Sequence, residues 1–336
     1  MIARFFRYPD GVAPNVAALA YTLGGYAGGL ALLAAGHWLL NLAGVLLTAH
    51  TLVCAAYFIH EFAHQGIFKS ADANNRSGVL MSWIAGSCYA TFGALRRKHM
   101  RHHVDRADVV TFDYKAFLNR SPAWVKRTVV ALEWAYIPAV ELIMHGYVVL
   151  LPFLKPERRA ERGRVLAILA VRVALFGLLA WYSLKAVLLY AAAYMIMLHV
   201  LRFTDAFQHT YDAFAVLEGG DIPDDKIRDR DYEQKNTYSN VVSVAHPGLN
   251  LLLLNFSYHN AHHERPIEPW YALPKLHAQL FPGEYVQVLP MATLLRGYHR
   301  DRVSRVVSDD YGAVGEGPDK ADGFLGAVGV SFLTAV

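Results

Sequence analysis

The sequence predicts an all-α integral membrane protein with four transmembrane helices in two hairpins. Three observations predict it. Of 336 residues 54% are hydrophobic and 18% charged, and mean hydropathy is +0.23; a chain long enough for two soluble domains thereby moves into the membrane class. Four apolar runs are each long enough, at about 1.5 Å per residue, to cross a hydrocarbon layer. Eight of the sixteen histidines fall into three tight blocks, each next to an apolar run.

Composition also excludes several classes. Two cysteines, Cys54 and Cys88, give no disulfide framework. Net charge is only +4, and the basic residues are not interleaved with aromatics along an exposed face, so no nucleic-acid partner is expected.

Taken in order, Arg4 and Arg7 precede the first apolar run, which is too long for a removable signal and reads as a retained anchor. Pro14 to Ala35 forms the first span. His37 and Asn41 mark a polar turn, and Leu42 to Ile59 is the second span, ending directly at His60. After a polar stretch from Lys69 to Asn75, Val79 to Leu95 is apolar but short and interrupted by Gly86, Ser87 and Gly93. It reads as one interfacial helix that delivers Arg96, Arg97 and Lys98 to lipid headgroups. Val129 to Phe153 could span, yet it carries Glu133, Glu141 and His145 between two basic flanks that both read as inside. It is expected as an interfacial helix or a shallow hairpin. Val165 to Tyr182 and Ala186 to Phe203 are the third and fourth spans, joined at Ser183-Leu184-Lys185; Arg172 inside the third must snorkel or face protein. With four crossings, both termini and all three histidine blocks share one side.

The fourth span runs into Thr204-Asp205-Ala206-Phe207-Gln208-His209, with Asp205 and His209 one helical turn apart. The charged loop from Glu218 to Lys235 is expected to be exposed. Val241 to Phe256 is too short to span and leads into the third block, with His246 in a structural role; Ile267 to Pro274 reads as an extended turn with aromatic anchors. The chain divides into a membrane domain, 1–306, and a Gly/Asp-rich tail, 307–336, expected to be mobile from Asp309 to Asp322. The last apolar residues, from Gly323, either fold onto the membrane face or cover the site.

The blocks are His60-Glu61-Phe62-Ala63-His64, His99-Met100-Arg101-His102-His103 and His259-Asn260-Ala261-His262-His263. On a helix, positions i, i+3 and i+4 share a face, so each HxxHH run is expected to aim three imidazoles at one point. Two such points imply two metals or a shared pair. An all-nitrogen donor set suits iron, copper or zinc better than magnesium or calcium. His209 is the candidate ninth ligand, a helix-end capping histidine being the plain alternative. The first block also spells HExxH, in which two histidines bind zinc and a glutamate acts as general base in a metalloprotease; that reading leaves both HxxHH runs unexplained. A metal transporter or sensor would distribute its ligands inside the spans.

The order HxxxH, HxxHH, HxxHH, with two blocks after the first hairpin and one after the second, resembles the integral-membrane fatty acid desaturase family. The resemblance covers roughly residues 15 to 285 and implies four membrane helices under a cytosolic helical cap that holds a histidine-ligated dimetal centre. By it, two iron ions would be held by His60, His64, His99, His102, His103, His209, His259, His262 and His263. Glu61 would orient a block histidine, and Asp205 would hold a polar group or water beside the metals. The implied activity is O₂-dependent desaturation of a fatty acyl chain. Hydroxylation, oxidative decarboxylation to a terminal alkene, and carotenoid oxygenation are the alternatives on the same oxidant. The chain shows no flavin, nucleotide or iron–sulfur fingerprint, so a separate ferredoxin, rubredoxin or cytochrome with its reductase is the expected electron donor. A bacterial inner membrane is the expected location, with termini and histidine blocks on the cytoplasmic side.

Overall fold

In a computed structural model, residues 2–283, 287–317, 319–329 and 332–336 are described. The chain is mostly helical: α1 Val12–Leu33, α2 Trp38–Ala63, α3 Ala71–Ala85, α4 Phe92–Asp105, α5 Tyr114–Arg120, α6 Ala123–Trp134, α7 Ala139–Leu154, α8 Arg162–Tyr182, α9 Leu184–Ala206, α10 Arg230–Lys235, α11 His259–Glu264, α12 Leu273–Leu280, α13 Met291–Arg300 and α14 Ser304–Val307. Two short strands, β1 Asp108–Val110 and β2 Phe214–Val216, pair in parallel.

Helices α1, α2, α8 (with the turn before it) and α9 are long and apolar enough to cross a membrane. Helix α8 exposes Val173, Leu175, Leu178, Trp181 and Tyr182, an apolar surface that water would not tolerate and lipid would. The α1–α2 turn is closed by Asn41, whose Nδ2 donates to the carbonyls of Leu32, Leu33 and Ala35 at 2.9, 3.1 and 2.9 Å. These are carbonyls that the end of α1 leaves without intrahelical partners. Lys185, in the first turn of α9, donates to Ala35 O at 2.6 Å and Asn41 Oδ1 at 2.9 Å. Both hairpin turns therefore meet at one end of the bundle.

At the other end the chain departs from the sequence expectation in several places. Val79 to Leu95 is not one helix. The helix starts earlier, inside the supposed polar stretch, where Ser70 caps α3 by accepting from Ala73 N. It stops at Gly86, which has φ +86° and whose added Cβ would lie 2.7 Å from Tyr194 Oη. Thr91 then caps α4 through Ala94 N. Two of the basic triplet turn inward: Lys98 is buried with Nζ 3.1 Å from Thr334 O and Arg96 Nε donates to Ala63 O at 2.8 Å, while Arg97 bonds Glu218 and Val336 O and stays exposed. Carbonyls left over at helix ends and in the tail are what draw these cations inward.

The segment after Lys126 takes the hairpin form, α6 and α7, broken at Tyr136-Ile137-Pro138. Its two acids are buried and clamp Arg202 of α9: Arg202 Nε lies 2.7 Å from Glu141 Oε1, and Nη1 lies 2.5 Å from Glu133 Oε2. Arg172 faces protein, donating to Trp83 O and Cys88 Sγ. The described residues of the apolar end pack onto the protein: Phe324 stacks edge-on against Phe207, and Phe332, Leu333, Ala335 and Val336 join the core formed by α2, α4 and α9.

Candidate metal centre

The histidines arrive from four places at one end of the bundle. His60 lies in the last turn of α2 and His64 is its C-cap; His99, His102 and His103 lie on α4; His209 follows α9; His259, His262 and His263 lie on α11. All nine come together, but in a different partition from the one expected of the HxxHH runs. One group is His60, His64, His99, His103 and His262; the other is His102, His209, His259 and His263, with ring nitrogens in each group within 4.8 Å of one another. Positions i and i+4 of each run share a group while i+3 turns to the neighbouring one. Four residues are about 40° past a full turn and three are about 60° short of it, so two side chains at i+3 and i+4 straddle the gap between two adjacent points.

Within the first group, Nε2 atoms face one another at 3.1 Å (His60–His262), 2.6 Å (His64–His99), 3.1 Å (His99–His103) and 3.1 Å (His103–His262). In the second they do so at 3.0 Å (His209–His259), 3.2 Å (His209–His263) and 3.1 Å (His259–His263). The outer ring nitrogens explain which tautomer faces inward. His102 Nδ1 lies 2.7 Å from Ala107 O, His263 Nδ1 2.8 Å from Glu233 Oε1, His60 Nδ1 3.2 Å from Glu61 Oε1 and His209 Nδ1 3.3 Å from Asp108 Oδ1. Carbonyls and carboxylates only accept, so Nδ1 of His102, His263 and His60 carries the proton and their Nε2 atoms present lone pairs to the groups, while Asp108 stands beside His209 Nδ1 at ion-pair distance without hydrogen-bond geometry.

Electrostatics favours the same state. Burial, and then the neighbouring imidazoles, push His99, His103 and His263 well below their ordinary range. Burial lowers His64 to about 3, helped by Arg96, and His102 to about 4, helped by His209. Neutral imidazoles with opposed lone pairs repel one another unless a cation lies between them. The chemistry of the donor set therefore fits two metal ions, one per group. No thiolate takes part, since Cys54 and Cys88 are free and buried elsewhere.

Glu61 sits on the outer side of His60 and also accepts from Trp270 N at 3.3 Å. Asp205 lines a small cavity of about 40 Å³ with Lys98, Gln208, His99, His209 and Phe332. Burial lowers Lys98 to about 7, opposed by Asp205. His246, expected to be structural, is exposed and stands outside both groups. Two participants escaped sequence reading. Glu233, in the loop expected to be exposed, is buried, bonded to His263 and tied to Arg106 at 3.2 Å. Asp108 opens β1 and faces His209. A lone acid in a charged loop, and one five residues past a histidine, carry no local signal; the long-range pairing alone identifies them.

Fold and site together define a class: a membrane-associated helical protein that gathers imidazoles into two adjoining groups at one end of its apolar helices. The sequence model of the fatty acid desaturase family matches residues 36–294, a stretch that contains all nine histidines, and the chain belongs to that family. No curated protein matches the chain.

Proposed function

We propose that this protein is a membrane-bound di-iron oxidase that desaturates a fatty acyl chain with O₂. The observation that carries the reading is the gathering of nine imidazoles, five and four, inside the segment that matches the desaturase family. His60, His64, His99, His103 and His262 would hold one iron and His102, His209, His259 and His263 the other. A group of five exceeds the four-fold coordination that zinc sites use. Two irons with O₂ supply an oxidant strong enough to take hydrogen from an unactivated methylene, which no side chain can do. In the overall balance two hydrogens leave adjacent carbons and a C=C bond forms. O₂ becomes two waters with two further electrons and two protons from a donor.

The chain's own residues supply the rest. Glu233, Glu61 and the Ala107 carbonyl fix the tautomers of His263, His60 and His102, and Asp108 faces His209. Phe256 packs edge-on against His60 with centroids 4.6 Å apart, and Phe332 closes the same side; together they keep water from the groups. Glu61 points away from the Nε2 side, which counts against its serving as the base of a zinc protease. The four apolar helices would be four crossings in two hairpins, with both termini and the histidines on the cytoplasmic face of a bacterial inner membrane. Electrons would come from a separate ferredoxin, rubredoxin or cytochrome with its reductase.

The test is reconstitution of the purified protein with O₂, a reductase–ferredoxin chain and saturated acyl substrates of several lengths, with metal analysis alongside. The expected result is an internal alkene and about two irons per chain. A hydroxylated acid, a chain-shortened terminal alkene or an oxygenated carotenoid with the same iron content would overturn the product assignment. Zinc without oxygen consumption would overturn the oxidase itself.

A further inference from the structure

The cavity beside the histidines, about 40 Å³, is lined by Phe332. It has room for one or two waters, against the roughly 300–1,000 Å³ of a pocket that takes a small organic ligand. A second cavity of about 10 Å³ is lined by Gly329, Leu333 and Thr334 together with Met144 and Leu198. A third, of about 190 Å³, is lined by Ala335 and Val336 with Ala94, Val148 and Leu151, and ends among Arg97, Arg158 and Arg164. Arg97 there is more than half exposed, at 56%. Residues 332–336 thus border all three cavities: Phe332 the one beside the histidines, Leu333 and Thr334 the second, Ala335 and Val336 the one that ends among the arginines. Each cavity is a gap beside the same piece of chain.

That piece is held differently from what precedes it. Ala327 N donates to the Ala206 carbonyl at 3.0 Å, and Gly326, at φ +78°, approaches the same carbonyl so closely that an added Cβ would be 2.3 Å away. This anchor is backbone on backbone. Farther on, the Thr334 carbonyl accepts from Lys98 Nζ at 3.1 Å and Thr111 Oγ1 at 2.9 Å, and the Val336 carbonyl accepts from Arg97 Nη2 at 2.9 Å. Side chains, not backbone, grip these residues, between the apolar Met144, Val148, Leu151 and Leu198 on one side and polar groups, Glu141 and Arg202 among them, on the other.

We propose that residues 332–336 occupy the chamber of the acyl chain, and that an acyl chain enters from the arginine-rimmed mouth by displacing them while Gly326 and Ala327 stay anchored. The proposal rests on the acyl-oxidase reading for the identity of the ligand. Phe332 is the residue that stands where a methylene must come: its ring centroid is 5.9 Å from that of His60, 6.4 Å from that of His99 and 6.3 Å from that of Phe256. Displacing these five residues would vacate the space that borders all three cavities.

The experiment locks the segment. Thr111 Oγ1 and Thr334 Oγ1 are 2.8 Å apart, so Thr111→Cys with Thr334→Cys can form a disulfide on mild oxidation and release it on reduction. The probe is a diazirine-bearing palmitoyl chain, presented as free acid, coenzyme A thioester and phosphatidylcholine, photolysed with the full-length protein and mapped by mass spectrometry. The expected result is labelling of α7 around Val148–Leu151 in the reduced protein, falling at least about five-fold in the oxidised one and returning on reduction. Equal labelling in both states, or none of α7 in either, would overturn the proposal. The reduced state of the same molecule serves as the folding control. Labelling that follows the lock, in a protein that never oxidises the chain, supports the chamber and counts against the desaturase reading alone.

Discussion

At the residue scale the centre depends on which neighbour each histidine keeps. His262 and His263 are adjacent in sequence yet belong to different groups. Their alanine variants should therefore have different consequences: each should lose the metal of its own group preferentially, leaving about one ion per chain with a different spectrum in each variant. Metal analysis with iron spectroscopy of both proteins checks this, and identical residual spectra would sink the two-group partition. Glu233 and Asp108 act one bond further out. Glu233→Ala frees His263 Nδ1 and leaves Arg106 only the Arg228 carbonyl, and Asp108→Ala removes the carboxylate facing His209. Losses of this kind cost about 10–100-fold in metal affinity or activity. Glu233→Gln keeps an acceptor and should recover much of the loss, an effect that a purely packing role for Glu233 would not produce. The histidines themselves were legible because their spacing is local. Their partition was not, since whether i+3 joins i and i+4 depends on where the other helices stand.

At the scale of elements, the α6–α7 hairpin is fastened to α9 by Arg202 between Glu133 and Glu141, all three buried. Arg202 lies three residues before Asp205 and seven before His209, so the clamp also sets where the end of α9 delivers that histidine. Arg202→Met leaves two carboxylates buried without a cation and should cost about 3–5 kcal/mol. Converting Glu133 and Glu141 to Gln as well should return most of that stability. Thermal unfolding in detergent measures both, and a single variant as stable as the parent would rule out the clamp. Sequence reading placed the two acids and the ambiguity of their segment, but it had no means of joining them to an arginine some 60 residues on. Gly86 is the complementary case. Its interruption was visible, yet a lone glycine is also tolerated within a helix, and the break is decided by its φ of +86° and by Tyr194 of α9 pressing on it. Gly86→Ala should destabilise the protein by about 1–3 kcal/mol, read by the same melts.

At the scale of the whole molecule, hydropathy made the four long helices and the pairing of their turns legible, because an apolar run of the right length is a one-dimensional signal. The course of the last apolar residues stayed open between two placements, since their burial depends on helices more than a hundred residues earlier. One consequence of the architecture can be tested without any metal. Asn41 and Lys185 bring both hairpin turns to one end of the bundle, while the nine histidines of the two groups lie at the other. Helix α1, at 22 residues and about 1.5 Å each, is about 33 Å long, close to the roughly 30 Å of a hydrocarbon core. Single cysteines at exposed positions report the two ends: Gly36→Cys and Tyr182→Cys at the turns, Asp224→Cys and Asp319→Cys beside the histidines. The native thiols, Cys54 and Cys88, are buried and should stay silent. In sealed vesicles of known orientation, an impermeant maleimide should label the first pair from one side and the second pair from the other. The second pair should react from the cytoplasmic side, where a soluble electron donor can reach the centre. Labelling of all four from a single side would mean that these helices do not cross, and the four-span arrangement would have to be abandoned even with the histidine groups intact.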